Sequence, residues 1–198
     1  MDVEYEAPTW NQIYNLTLRL AREIVSSGFK PDVIVGVCRG GWVPARILSD
    51  LMENPNLASV KAESYIGIGE AQGEPELTQC LMVDVAGKRV LVVDEVADTG
   101  ASLRLVRNHV LERKASETKT ATLYLKGRST FKPDFCGKEM DRWVVFPWEH
   151  KETVAKILKA HHKTLAVAQK ELVKLAAAGV PKRLITRFQK ETHEAESC

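Results

Sequence analysis

Two adjacent carboxylates, Asp94 and Glu95, end an apolar run, Val90 to Val93. After Val96 and Ala97 comes a turn of small residues, Asp98-Thr99-Gly100-Ala101-Ser102. Adjacent carboxylates repel each other, and a strand that only fills a core gains nothing from them, so the pair indicates a site. Two such acids can accept hydrogen bonds from neighbouring hydroxyls such as a ribose 2′,3′-diol, directly or through Mg²⁺. A glycine-containing turn opening into a helix offers backbone N–H groups, a helix N-terminus and the hydroxyls of Thr99 and Ser102, which suits a phosphate monoester. Together the halves describe a ribose-5-phosphate site, with the diol at the acids and the phosphate at the turn. An N-capped helix behind a strand would account for Asp98 and Thr99 alone. It leaves the acid pair without a use.

Elements must hold these groups in place. Thr9-Trp10-Asn11-Gln12 reads as a capping box, with Ile13, Leu16, Leu20 and Ile24 at helical spacing behind it and Gly28 at the C-cap. Asp32 to Val37 is a short β-branched run that predicts a buried strand. Pro44 then opens a helix near its first turn. Ser59 to Tyr65 predicts another strand, and residues 66–78, rich in glycine and polar residues, a long loop. A helix follows the D-T-G turn to about Arg113, and Thr120 to Lys126 predicts a further strand. The stretch FKPDFCGKEMD reads as irregular, and RWVVF as a short strand ended by Pro147. From Glu149 onward Val154, Ile157, Leu158, His161, Leu165, Ala168, Leu172 and Leu175 form one helical stripe. Gly179-Val180-Pro181 breaks it, and a polar helix follows. Alternating strands and helices predict an α/β fold with a mainly parallel sheet. Ligands bind such sheets at the carboxyl ends of strands, where both unusual loops, 38–42 and 94–102, fall.

The 198 residues carry a net charge of +2, with 44% hydrophobic and 27% charged residues. That is the composition of a soluble globular protein, and the charge is too mild to imply nucleic acid. No apolar run approaches the ~20 residues of a membrane span. MDVEYEAPTW lacks the basic and apolar regions of a signal peptide. Cys38, Cys80, Cys136 and Cys198 are scattered, which suits reduced thiols and a cytoplasmic setting. The triplet Asn15-Leu16-Thr17 sits in a helical stretch and is discounted as a glycosylation site. There is no G-x-x-x-x-G-K-[ST], and GIGEAQG only approximates a dinucleotide fingerprint.

VLVVDEVADTGASL resembles the phosphoribosyl pyrophosphate (PRPP) signature of the type I phosphoribosyltransferases: an apolar strand, two acids, two variable residues, then D-T-G-x-[ST]. The resemblance covers roughly residues 30–150 and extends to the purine branch. It implies the type I fold, a mainly parallel twisted sheet flanked by helices with a small base-binding hood. Residues 1–150 would form that domain with its hood, and residues 151–198 a helical C-terminal extension. Cys38, Arg39, Gly40 and Gly41 fall at the family's pyrophosphate loop, where the purine branch carries a non-proline cis peptide, by position Cys38–Arg39. The glycines would let the backbone approach an anion and Arg39 could pair with it. Ala97 to Ser102 would bind the 5′-phosphate, and Asp94 and Glu95 the ribose and Mg²⁺. Glu95 departs from the commoner Asp at its position.

Within the purine branch the chain resembles the 6-oxopurine enzymes. Lys126 aligns with the lysine that donates to the purine O6. RWVVFPWE resembles the base-binding segment, with Trp143 stacked on the purine, the Val144 backbone at the base edge and Glu149 toward Mg²⁺. Trp148 reads as packing, and Arg46 as a helix-surface charge. Ser64 and Tyr65 would begin a flexible loop, 66–82, that closes over the site. Asp98 would act as acid/base at N7. The implied reaction joins a purine to PRPP, giving a nucleoside monophosphate and pyrophosphate. The implied assembly is a homodimer or larger, with no nucleic acid or membrane partner. An adenine enzyme, or a PRPP-sensing regulator that has lost catalysis, are the alternatives. The tail from Lys151 holds ten Lys/Arg against five Glu, which reads as a solvated face, and His161 and His162 have no partner at metal spacing.

Overall fold

A computed structural model describes residues 3–64, 73–162 and 164–196. The chain divides into two compact units, residues 14–141 and residues 1–13 with 142–198. The unit carrying the C-terminal helices thus takes in the N-terminus and residues 142–149, which the sequence reading grouped with the first 150.

The larger unit is built on a six-stranded sheet in the order β4-β3-β2-β5-β6-β7. Its strands are β2 (Val33–Cys38), β3 (Leu57–Ser64), β4 (Pro75–Gln79), β5 (Arg89–Ala97), β6 (Glu117–Leu125) and β7 (Phe135–Glu139). Every pairing is parallel except β3 with β4. Helices α1 (Trp10–Ser26), α2 (Trp42–Leu51) and α3 (Ala101–Glu112) accompany it. Alternation along the strands divides the core. Val33, Val35, Val90 and Val92 meet Leu103, Val106 and Val110 of α3. On the opposite face α2 lies close to β2, because a Cβ on Gly36 would come within 3.0 Å of Ala45 Cβ. Val90 to Val93 are fully buried, each worth about 1.5–3 kcal/mol. Strand β5 is therefore deeply anchored in the sheet, between the equally buried β2 and β6. The chain leaves β2 for β3 on one side and returns to β5 on the other, so the switch point lies between β2 and β5. Gly36 pairs with Val93 there, one residue before Asp94.

The capping box forms: Thr9 N donates to Gln12 Oε1 at 2.8 Å and Gln12 N to Thr9 Oγ1 at 3.3 Å. Gly28, at φ 79°, ends the helix as expected. Two expectations are corrected. Pro75–Gln79, assigned to a loop, is a strand, and Phe135–Glu139, assigned as irregular, is another. Both are sheet edges, so each needs apolar residues on one flank only. Phe135 is buried while the glycine, lysine and glutamate after it hide the strand pattern. Asp134 anchors that edge by accepting hydrogen bonds from Thr120 N and Thr120 Oγ1, both at 2.8 Å.

In the second unit β1 (Tyr5–Glu6) pairs in parallel with β8 (Trp143–Val144), which is shorter than the expected RWVVF strand. Helices α4 (His150–Ala160), α5 (Leu165–Ala177) and α6 (Lys182–Glu196) enclose a core of Val145, Val154, Leu172, Leu175, Val180 and Ile185. The single stripe predicted from 149 is thus two helices. Leu165, which continues its periodicity, is 67% exposed, so it adds no burial that would hold the helix straight. Tyr5 hydroxyl donates to Glu171 Oε2 at 2.9 Å. Burial, then the Glu171 carboxylate, push the phenol up to about 12. Trp148 stacks on Phe146 with ring centroids 4.7 Å apart, which fits packing. His162 Nδ1 lies 3.0 Å from the Lys159 carbonyl oxygen.

At the foot of the sheet Asp32 accepts hydrogen bonds from Arg89 N and Nε on one oxygen and Nη2 on the other, at 2.8, 3.2 and 2.9 Å. These bonds to the Arg89 side chain and backbone hold the carboxyl down at about 2. A lowered carboxyl contributes stability above its unfolded value of ~3.9 and loses it as pH falls toward the folded value. Asp32→Asn is expected to lower the urea midpoint at pH 7, with the gap to wild type shrinking from pH 4 to pH 2. A gap independent of pH would remove the ion pair as its cause.

Candidate active site

The two unusual loops meet at the switch point. The peptide between Cys38 and Arg39 is cis, at the position the family resemblance indicates. Gly40 follows, and the Glu95 carboxylate lies against it: a Cβ on Gly40 would fall 2.0 Å from Glu95 Oε1. A Cβ on Gly41 would lie 2.6 Å from the carbonyl oxygens of both Val37 and Val93. Glycine is required where one loop passes this close to the backbone of the next strand.

Asp94 is 9% exposed, and Glu95 Oε2 is buried with no hydrogen-bond partner among the described residues. The Glu95 amide donates to Asp94 Oδ1 at 2.9 Å. Burial raises the carboxyl of Asp94 above its ordinary value. Burial, and then the Asp94 charge, raise that of Glu95. Such a pair favours a cation or hydroxyl donors beside it. Among the described residues no group of three or more His, Cys, Asp or Glu is arranged to hold a metal. A metal here would take its remaining ligands from substrate or water.

Past Ala97 the chain enters the turn, and α3 begins at Ala101. Gly100 is the N-cap at φ 78°, a conformation that disfavours side chains, and it gives no side-chain cap to the first-turn N–H groups. Thr99 Oγ1 accepts from Ala101 N at 3.3 Å. A cavity of about 280 Å³ opens over this turn, lined by Asp94, Val96 and Asp98 to Ser102. Gly73, Glu74 and Pro75, from within the expected 66–82 loop, also line it, as do Arg104 and Thr130, which sequence reasoning missed. Arg104 is one turn into α3, where an arginine reads as surface charge, and Thr130 comes from a distant segment.

A strap from Lys126 to Phe131 closes one side of the turn. Lys126 N donates to Ala97 O at 3.1 Å, and Thr130 N to Thr99 O at 3.0 Å. Ser129 Oγ and Phe131 Cβ lie where a Cβ on Gly100 would fall, 2.6 Å away from each. Lys126 is buried rather than on the surface. Burial lowers its pKa, Asp98 raises it and Arg128 lowers it again. Asp98 is paired with Arg128 through both carboxylate oxygens. Nothing in the sequence pattern pointed to Arg128.

The remaining predicted residues fall elsewhere. Trp143 is 55% exposed, Val144 is buried, and Glu149 Oε1 accepts from Phe146 N at 2.9 Å; all three belong to the other unit. Ser64 ends β3, and Tyr65 with residues 66–72 of the expected flexible loop lies outside the described residues. Arg46 is exposed 3.9 Å from Asp50, a helix-surface pair. Cys38, Cys80 and Cys136 form no disulfide. Among the described residues no helix is long and apolar enough to cross a membrane.

Comparison with known proteins converges on one family. The phosphoribosyl transferase domain family matches residues 9–153. The xanthine-guanine phosphoribosyltransferase of Gluconobacter oxydans is 33% identical over 149 residues, 74% of this chain and 86% of that protein. The enzyme of the same name from Cereibacter sphaeroides is 30% identical over 150 residues, 71% of this chain and 84% of that one. Among solved structures, the purine phosphoribosyltransferase from Pyrococcus horikoshii superposes with a TM-score of 0.66 at 35% identity, covering 74% of this chain and 94% of that one.

The close approach at Gly41 generates a test. Gly41→Ala is expected to cost about 1–3 kcal/mol, the range for overpacking, seen as a lower denaturation midpoint at constant m. Wild-type stability would show that the loops are not held as tightly as described.

Proposed function

We propose a reaction on the premise that the chain belongs to the phosphoribosyl transferase domain family: it joins a free purine, a 6-oxopurine by preference, to PRPP. The products are a nucleoside 5′-monophosphate and pyrophosphate. The fold is the type I phosphoribosyltransferase fold, a mostly parallel sheet flanked by helices with a C-terminal helical extension. The observation that carries the reading is the buried, unpartnered Glu95 oxygen beside the Gly40 loop, next to the cavity over the D-T-G turn. A bound PRPP would run from the glycine loop at its pyrophosphate, past the acids at its ribose, to the helix N-terminus at its 5′-phosphate. The names of the similar proteins support a purine as the acceptor.

In this reading the 5′-phosphate sits in the cavity against the turn, where Thr99, Ser102 and the first-turn N–H groups donate to it. Arg104 adds a positive charge at the wall. Asp94 and Glu95 hold the ribose hydroxyls on the side where positive charge develops at C1′. Arg39 and the backbone of Gly40 and Gly41 face the pyrophosphate. The orphaned Glu95 oxygen fits a cation, so Asp94 and Glu95 are the residues that would hold Mg²⁺, with Glu149 a further candidate. When bound, that ion supplies positive charge against the leaving pyrophosphate.

The purine N9 forms its bond to C1′ as the C1′–O bond to pyrophosphate breaks, and Asp98 takes the proton from N7. Lys126 donates to O6. Its burial among Asp98 and Arg128 makes it a directed donor rather than a solvated charge. Trp143, exposed on β8, offers its ring face for stacking, with the Val144 backbone at the base edge. The segment from Ser64 and Tyr65 would exclude water from C1′. Self-association as a homodimer or larger belongs to the same reading.

The first experiment is nucleotide formation from PRPP and Mg²⁺ with adenine, hypoxanthine, guanine and xanthine in turn. Turnover with the oxopurines is expected; turnover with adenine alone would keep the reaction and discard the Lys126 assignment. No turnover with any of the four would remove the enzyme reading. Asp98→Asn is expected to lower kcat by about 10²–10⁴ while sparing the KM for PRPP, and a wild-type kcat would take Asp98 out of its role. Lys126→Ala removes a charged donor worth about 1.5–3 kcal/mol. It should lower kcat/KM for oxopurines by roughly 10–150-fold, and an unchanged value would undo the assignment.

A further inference from the structure

The reaction just described makes no use of the ion pair on Asp98, and that pair stands in its way. The guanidinium of Arg128 reaches one carboxylate oxygen through Nε at 3.1 Å and the other through Nη2. This two-pronged arrangement directs donors at both oxygens of the group that would accept the purine proton. The backbone beneath Arg128 is fixed. Ser129 N donates to Lys126 O at 3.0 Å, and the strap is tied to Ala97 and Thr99 on either side. The side chain is not fixed: Arg128 is 64% exposed and Asp98 36%. A guanidinium so placed meets Asp98 whenever the site lacks a base, and can swing into solvent when one arrives.

We propose that Arg128 is a latch on Asp98: it occupies the carboxylate while no purine is bound, and the purine binds by displacing it. The latch rests on the reading of Asp98 as the proton acceptor. Its use follows from the chemistry at C1′. With PRPP bound and no purine, a bare Asp98 could take a proton from water as the water oxygen bonds to C1′ and the C1′–O bond to pyrophosphate breaks. The products would be ribose 5-phosphate and pyrophosphate, a wasted PRPP. A carboxylate already engaged by Arg128 is a poor base for that water. An exposed ion pair is weak, so the purine loses at most about fivefold in affinity by displacing it. The same weakness lets the latch open in every turnover. Arg128 is on this account a positioning residue that acts through Asp98.

The test is Arg128→Gln, with Arg128→Lys beside it and circular dichroism to confirm folding. In Arg128→Gln the KM for purine is expected to fall by up to about fivefold. Release of pyrophosphate from PRPP without purine should rise by a similar factor, up to about fivefold, because removing the pair raises the population of free Asp98 by no more than it weakens purine binding. Arg128→Lys, which keeps the charge without the fork, should lie between. A purine KM that stays level or rises overturns the latch, and hydrolysis that stays at the wild-type rate overturns the shielding of C1′. Adding Asp98→Asn to Arg128→Gln should abolish the extra hydrolysis. If Asp98→Asn alone turns over like wild type, the reading of Asp98 has failed, which is a different result from a latch that fails while Asp98 holds.

Discussion

Two carboxylates lie side by side at the end of β5, and the structure around them follows from the cost of placing them there. Asp94 and Glu95 sit where a deeply buried strand emerges, so neither can turn fully to water. The Glu95 amide on Asp94 and the nearby charge of Arg39 relieve that cost in part. Such an arrangement survives only on a strand with stability to spare, which three fully buried valines and a leucine provide between Val90 and Val93 with their neighbours in β2 and β6. The acids also dictate what can pass beside them. The loop after β2 lies against the Glu95 carboxylate and the Val93 carbonyl, and it is glycine at both contact positions.

The turn after the acids is held from outside itself. Gly100 supplies no side-chain cap at its left-handed conformation, and of the first-turn N–H groups Ala101 N is met by Thr99 Oγ1. The strap from Lys126 to Phe131 fixes the turn through Ala97 and Thr99 and at the same time places a lysine and an arginine beside Asp98. One short segment therefore joins the D-T-G turn to the cationic side chains beside Asp98. Charges of both signs sit within it, so its electrostatics depend on which partner each group has, and Asp98 has Arg128.

The second unit has its own logic. A two-stranded sheet and three helices close on Val145, Val154, Leu172 and Leu175, with Tyr5 tied to Glu171. The unit carries Trp143, Val144 and Glu149 on the segment that follows residue 141, so two residues read as base-binding and one read as metal-binding belong to a fold element distinct from the central sheet. Its last two helices extend past residue 153, where the family match ends.

Local signals were strong wherever the chain makes its own structure. The acid pair, the D-T-G turn, the glycine loop, the capping box at Thr9 and the buried strands were legible because strand burial, capping and tight turns are written in neighbouring residues. Elements defined by what lies beside them were not. Strand β7 and strand β4 exist because β6 and β3 offer free edges, and the α4–α5 break exists because a continued helix would bury nothing at Leu165. Arg128, Arg104 and Thr130 carry no motif. Arg104 reaches the cavity from the first turn of α3, whereas Arg128 and Thr130 come to the site because the sheet order sets β6 beside β5 and so brings the strap over the turn, a distance of about thirty residues from Asp98 to Arg128. The sequence by itself determined the chemical groups and the local frames that present them. Only the tertiary structure decided which distant side chains face those groups, because pairing across a sheet depends on strand order and register, and no stretch of chain contains both.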